Sequence, residues 1–367
     1  MTARARLVIA AALSCGAVVC GCGSSNDGPA PVAPTDAGPD GAEPVDASPP
    51  PHPTPERLEF KPVAPLPAGE QILFNDWNGA PNALWSMTPD GSSATKVFTI
   101  GRVWAFGVSH GVDKIAFSAF DPDQEAHFGV AIGDAIQHTW LYDVATQSIT
   151  PLSKGNVNDE CHAFSADDKT LFVCRRYDFH FEDIDGERYV VNKGWRIAAI
   201  DVATSATTFL SPDLKGEYHL GPQQLPGGAR LLYSITKVTP PPTKYSVVST
   251  GLPAGGEATL VRADASRASL APDGKRYAYA NPLEKGALYV GELGATAATK
   301  IATAAGSDLT WSPDGTRLAY LRFDDDKNCS DIEVVKADGS QADAPTRLRE
   351  CLPGAEFITQ LAWVIRK

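Results

Sequence analysis

The chain has 367 residues, 43% hydrophobic and 21% charged, with a formal net charge of −12. That length suits one large domain or two ordinary ones. The acidic balance argues against nucleic acid as a partner, and beyond the first twenty residues no run is long and apolar enough to span a bilayer.

Arg4 and Arg6 open the chain, followed by the apolar run "LVIAAALSCGAVV". It is too short for a permanent span and right for a signal-peptide core. The run ends in "VCGC", which resembles the lipobox of bacterial lipoproteins and implies a signal peptide at 1–21 and lipidation of Cys22. Cys15 and Cys20 have poorer neighbours for such cleavage. Gly23 stands where an aspartate would imply retention at the inner membrane, so the resemblance implies an outer-membrane lipoprotein held by its lipid anchor alone. Losing Arg4 and Arg6 takes the mature charge to −14. Residues 22–56 then read as the lipidated cysteine and a disordered tether, with ten prolines and no aromatic residue.

From residue 57 to 367 short strands rich in aromatic and branched residues alternate with Gly, Pro and Asp turns. Six windows align: "LPAGEQILF" from Leu66, "SHGVDKIAF" from Ser109, "SADDKTLFV" from Ser165, "LPGGARLLY" from Leu225, "APDGKRYAY" from Ala271 and "SPDGTRLAY" from Ser312. Each is a turn entering a strand, preceded by a strand such as "DLTW". Each is followed by a strand–turn–strand such as "WLYDVATQSITPL". Four antiparallel strands recurring every 40 to 60 residues predict an all-β, six-bladed β-propeller of four-stranded blades. The unit "TWSPDGTRLAYLR…DIEVVKADGS" resembles the repeat of TolB-like (WD40-like) propellers, over nearly all of 66–367. TolB itself carries an additional N-terminal α/β domain, which a short tether is not expected to supply, so its partners are not carried over.

The ends predict closure. "FITQLAWVIRK" reads as a blade's first strand, with Trp363 in the place of Trp311, and the first window supplies three strands that lack a first. Together they make one composite blade from both chain ends, leaving no open edge there. The alternative first strand, "EFKPVAPL", carries two prolines and is a poorer ladder member.

Cys161, Cys174, Cys329 and Cys351 remain after the leader, an even number that reads as two disulfides in an exported protein. A two-residue turn at Asp167 and Asp168 places Cys161 directly opposite Cys174; a three-residue turn, as in "SPDGT", sends them to opposite faces. The missing glycine at Asp168 favours the first. Cys329 and Cys351 bracket the last two strands of blade six. The alternative is buried free thiols.

The pattern "GVSHG" around Ser109 matches the G-x-S-x-G nucleophile elbow. Yet "DKIAF" then enters a strand where an elbow needs a helix, and Ser109 aligns with the turn residue Ser312. No catalytic residue is assigned. The blade-three insert also resembles part of the propeller half of prolyl-oligopeptidase-type hydrolases, whose catalysis belongs to a separate domain. In propellers the loops between second and third strands share one face with the inter-blade loops. The longest here lie in blades two and three and collect Asp121, Asp123, Glu125, His127, His138, His180, Glu182, Asp183 and Asp185. These form a candidate binding rim and a possible divalent-metal set, although tight ligand spacing is missing and "EDIDGER" lacks the downstream ligands of a calcium loop. "FHFEDIDGERYVV" reads better as an inserted hairpin. Asp324–Asp326 reads as a solvated loop, and His110 and His219 as structural residues.

The leading expectation is a monomeric, lipid-anchored binding or scaffold module without cofactor, taking an envelope protein or small ligand at the loop face. The alternatives are a polysaccharide- or peptide-acting hydrolase or lyase near His127, His162 and His180, and a sugar- or metal-binding sensor.

Overall fold

The computed structural model describes residues 54–76, 81–122, 136–184, 187–192, 194–212, 216–238, 242–252, 258–303, 308–324, 326–327, 329–351 and 358–367, with the backbone alone at 181–184 and 187–191. The leader, Cys22 and most of the tether lie outside the described residues, as do Asp123, Glu125, His127 and Asp185.

The strands follow the repeat. The first window gives β1 (Lys61–Pro62), β2 (Gly69–Asp76), β3 (Asn82–Met87) and β4 (Ala94–Ile100). Blade two holds β5 (Val103–Val108), β6 (Lys114–Phe120), β7 (Gln137–Asp143) and β8 (Ser148–Pro151). Blade three holds β9 (Val157–Phe164) and β10 (Thr170–Tyr177), an inserted hairpin of β11 (His180–Ile184) and β12 (Glu187–Val191), then β13 (Gly194–Asp201) and β14 (Thr207–Phe209). Blade four comprises β15 (Glu217–Gln224), β16 (Arg230–Lys237), β17 (Lys244–Gly251) and β18 (Thr259–Ala263). Blade five comprises β19 (Ser266–Leu270), β20 (Arg276–Asn281), β21 (Ala287–Glu292) and β22 (Ala298–Ala302). Blade six comprises β23 (Leu309–Trp311), β24 (Arg317–Asp324), β25 (Cys329–Lys336) and β26 (Thr346–Arg349), and the chain ends in β27 (Leu361–Arg366). Apart from one 3-10 turn at Pro282–Glu284, nearly all described regular structure is strand.

Each blade is an antiparallel sheet, and the inner strands β5, β9, β15, β19, β23 and β27 touch in succession until β27 meets β5 again, which closes the ring. Blade one has the order β1-β4-β3-β2-β27, so the last strand is its innermost member, pairing Gly69 with Arg366 through Phe74 with Leu361. The proline-bearing segment instead adds only Lys61 and Pro62 to the outer edge, against Thr99 and Phe98. That is where a proline costs a sheet least.

The core lies between blades because each strand's alternate side chains face a different neighbour. Phe98, Phe117, Tyr142 and Leu73 fill the space between blades one and two. Ala319, Leu321, Ile332 and Trp363 fill that between six and one. The Arg317 guanidinium lies over the Trp363 ring at 4.7 Å, as Arg276 lies over Trp311 at 5.2 Å, so a repeated arginine anchors the next blade's tryptophan.

The repeated turn explains "GVSHG". In blade six Ser312 Oγ donates to Asp314 Oδ1 at 2.5 Å and accepts the Arg317 N–H at 2.9 Å. In blade two Ser109 Oγ donates to Asp113 Oδ1 at 2.7 Å and accepts the Lys114 N–H at 3.0 Å, with the residue 2% exposed. Its hydroxyl is consumed by the turn. Gly107 is explained separately: a Cβ there would stand 2.3 Å from the His162 carbonyl oxygen on β9. The glycine lets two inner strands approach.

The expected Cys161–Cys174 bridge is corrected: both thiols are free. The turn closes on Ser165 and Thr170, and Asp168 takes the left-handed conformation (φ 56°) that Gly315 (φ 69°) takes in blade six. No shortened turn is needed. The ladder starts in the expected register, with Phe164 opposite Leu171, but a bulge with Cys161 at φ 56° shifts it, so Cys174 faces Glu160. Burial, with Cys161 alongside, pushes the Cys174 thiol up, and Gly221 N–H donates to its sulfur at 3.3 Å. Cys329 and Cys351 are bonded, tying the start of β25 to the end of β26 across a Cα separation of 5.8 Å.

The clasp also holds a titrating group. Asp308, just before β23, accepts the Leu361 N–H through Oδ2 at 2.6 Å. Burial pushes its carboxyl up to about 7, against the pull of that bond, Arg267 and the Leu309 N–H. Between the unfolded value of about 3.9 and this folded value the native state holds more protons than the unfolded chain, so stability falls as pH rises through the window. By accessible surface Asp308 is only half-buried, which limits the effect to about 1–2 kcal/mol. Asp308→Asn keeps the acceptor and removes the charge. Its advantage over the wild type in urea denaturation should grow by about 1–2 kcal/mol between pH 4 and pH 8.

Candidate functional site

The polar centre of the molecule lies where blades two and three meet. Within the apolar strands, "VNDECHAF" of β9 and "TLFVCRRY" of β10 place ionic residues where the alternation calls for apolar ones. The register sets Arg175 opposite Asp159, and both are buried. Arg175 Nε donates to Asp159 Oδ1 at 2.6 Å and Nη2 to Oδ2 at 2.7 Å, a bidentate pair. Burial by itself would push the Asp159 carboxyl up; Arg175's charge and hydrogen bonds, with Ser153 and His162, bring it below its ordinary value.

Blade two completes this pair. Thr139 Oγ1 donates to Asp159 Oδ2 at 3.0 Å, Ser118 Oγ donates to the Asp159 carbonyl at 2.6 Å, and Thr139 N–H donates to Ser153 Oγ at 2.8 Å. The single Thr139 hydroxyl proton goes to Asp159, so His162 Nε2 donates to that oxygen at 3.1 Å. Burial lowers the His162 pKa to about 4, despite Asp159, so the ring is neutral near pH 7. It is a structural donor.

Of the expected rim residues, the structure brings Asp121 and His138 together. Their side chains are fully buried at 3.0 Å, and His138 Nε2 donates to the Gly155 carbonyl at 2.6 Å. His180 is exposed on the inserted hairpin, its Nδ1 at 2.8 Å from the Asp178 carbonyl. Glu182 and Asp183 are placed by register on β11, opposite Tyr189 and Arg188. Among the described residues no three His, Cys, Asp or Glu side chains lie close enough to hold a metal ion.

The residues sequence reading missed are Asp159, Glu160, Arg175 and Arg176. Arg176 Nη2 donates to Glu160 Oε1 at 2.6 Å, and its guanidinium lies over Trp195 at 4.6 Å. Trp195 meets Tyr218 edge-on at 5.6 Å, and Tyr218 is 36% exposed. The broken alternation in "NDE" and "CRR" was the available signal.

A cavity of about 320 Å³ opens between the same two blades. Arg175, Ser153 and Leu152 line it in the buried layer, and Lys154, Ser205 and Thr207 at the exposed surface.

No family model matches the chain, and no curated protein matches it. Solved structures do. TolB from Acinetobacter baumannii superposes with a TM-score of 0.58 at 14% identity, over 80% of this chain and 66% of that one. A TolB from Agrobacterium tumefaciens gives 0.53 at 11% identity, over 80% and 98%. Kuenenia stuttgartiensis hydrazine synthase gives 0.55 at 8% identity, over 82% of this chain and 47% of that one. The chain thus spans just under two thirds of the Acinetobacter protein, and identities this low establish shared architecture. In its fold this chain is a TolB-like six-bladed β-propeller.

Proposed function

We propose that the chain is an extracytoplasmic binding or scaffold module of the bacterial envelope, held to the outer membrane by lipid on Cys22 and meeting a protein partner at the loop rim of blades two to four. The observation that carries this reading is the hairpin β11–β12, inserted beside a floor pinned by the Asp121–His138 and Asp159–Arg175 pairs. Next to it Tyr218 is exposed and is backed by the buried Trp195 ring, itself covered by the Arg176 guanidinium, so an aromatic anchor of the kind that dominates protein interfaces is held in place at the surface. No described helix is long and apolar enough to cross a membrane. A lipid anchor would supply the attachment, and the module would act as a monomer without nucleic acid.

A photo-crosslinking amino acid at Tyr218 tests this directly. A discrete cross-linked protein should form in the envelope and vanish when a short Gly-Ser linker replaces residues 180–191. Cross-linking that survives the replacement overturns the rim. Cys22→Ser should release the protein from membranes and abolish palmitate labelling; retention overturns the anchor.

A further inference from the structure

The Asp159–Arg175 pair leaves one guanidinium nitrogen over. Nε and Nη2 are spent on Asp159, whereas Nη1 has no hydrogen-bond partner among the described residues, and Arg175 lines the cavity between blades two and three while only 6% exposed. Asp159 holds the guanidinium fork in a fixed plane, so its remaining N–H groups are preorganised. Lys154 stands at the exposed surface of the same cavity and makes no ion pair among the described residues. The Ser205 and Thr207 hydroxyls lie there as well, and no acidic side chain lines the cavity. Leu152 supplies an apolar wall.

We infer that this cavity binds the phosphate group of a small phosphorylated polyol or sugar. Two cations and two hydroxyls supply more donor hydrogens than a carboxylate's two oxygens use well, and they suit the three terminal oxygens of a phosphate monoester. The volume, about 320 Å³, lies at the low end of ligand-sized cavities and leaves room for a body beyond the phosphate. The cavity shares the Asp159–Arg175 pair with the floor of the rim but does not rest on the partner-binding reading: calorimetry reads the cavity and cross-linking at Tyr218 reads the rim, so the two failures are distinguishable.

Titration calorimetry with glucose 6-phosphate, inorganic phosphate and glucose tests it. Glucose 6-phosphate should bind with Kd of about 1 mM or tighter, inorganic phosphate more weakly, and glucose not measurably. Lys154→Glu changes an exposed residue, so the fold should persist, and it should weaken glucose 6-phosphate binding by at least about tenfold. The paired substitution Asp159→Leu with Arg175→Met, which removes both buried charges together, should abolish binding while the domain stays folded. Absence of binding at about 10 mM glucose 6-phosphate, far above the expected Kd, overturns the inference. Equal binding by Lys154→Glu, or by glucose alone, does the same.

Discussion

Deleting residues 361–367 should abolish cooperative folding of the domain, and Asn75→Ala alone should cost about 2–4 kcal/mol. The deletion removes the inner strand of blade one, whose ladder to β2 runs from Gly69–Arg366 to Phe74–Leu361. It also strips buried Leu361 and Trp363 from the space between blades six and one, at about 1.5–3 kcal/mol for each large apolar side chain. A ring without its clasp leaves β2 as an unpaired inner edge. Asn75 concentrates the closure in one side chain. Its Nδ2 donates to the Trp104 carbonyl at 2.7 Å and to Thr359 Oγ1 at 2.5 Å, and its Oδ1 accepts the N–H groups of Thr359 and Gln360 at 3.2 and 2.9 Å. These bonds join the first window, blade two and the segment entering β27, all at a fully buried position. Alanine would orphan buried backbone donors, which is where the cost arises. Urea denaturation followed by tryptophan fluorescence reads both variants. An unchanged midpoint for Asn75→Ala would show that the clasp does not depend on it.

The second large effect is at the buried ion pair. Asp159→Ala should destabilise the domain by about 3–5 kcal/mol, because it leaves the Arg175 side chain, only 6% exposed, without a counter-charge. Asp159→Leu combined with Arg175→Met should recover most of that loss, since desolvating two ions roughly offsets their attraction. A double-mutant cycle in urea measures the coupling. If the double variant is as unstable as Asp159→Ala, the site depends on the Thr139, Ser118 and His162 bonds around Asp159 more than on charge pairing.

The repeat, the strand count and the composite blade are legible because turn chemistry and strand alternation are local. "SPDG" closes a hairpin wherever it occurs, and Trp363 marks a first strand as Trp311 does. The pairing of the cysteines was not legible, because a single residue changes the register of β9. The bulge at Cys161 inserts one position into β9, and no turn-counting rule anticipates it. Asp168 shows the companion reason. A residue other than glycine can hold a left-handed turn when its carboxylate is occupied, here by the N–H groups of His110 at 2.9 Å and Gly111 at 3.2 Å in the preceding blade. The rim histidines read from loop length also divided: His138 is buried against Asp121, and His180 is exposed.

By itself the sequence determined the all-β class, the hairpin units, their number and the joining of both chain ends, since each follows from periodicity and from residues a few positions apart. Only the tertiary structure decided which thiols bond and which side chains meet across blades. It also showed that Arg175, unremarked in a strand pattern, commits Nε and Nη2 to Asp159 and is one of the residues lining a cavity. Those outcomes depend on how neighbouring sheets pack and on one-residue shifts in register, which carry side chains from one inter-blade space to the other.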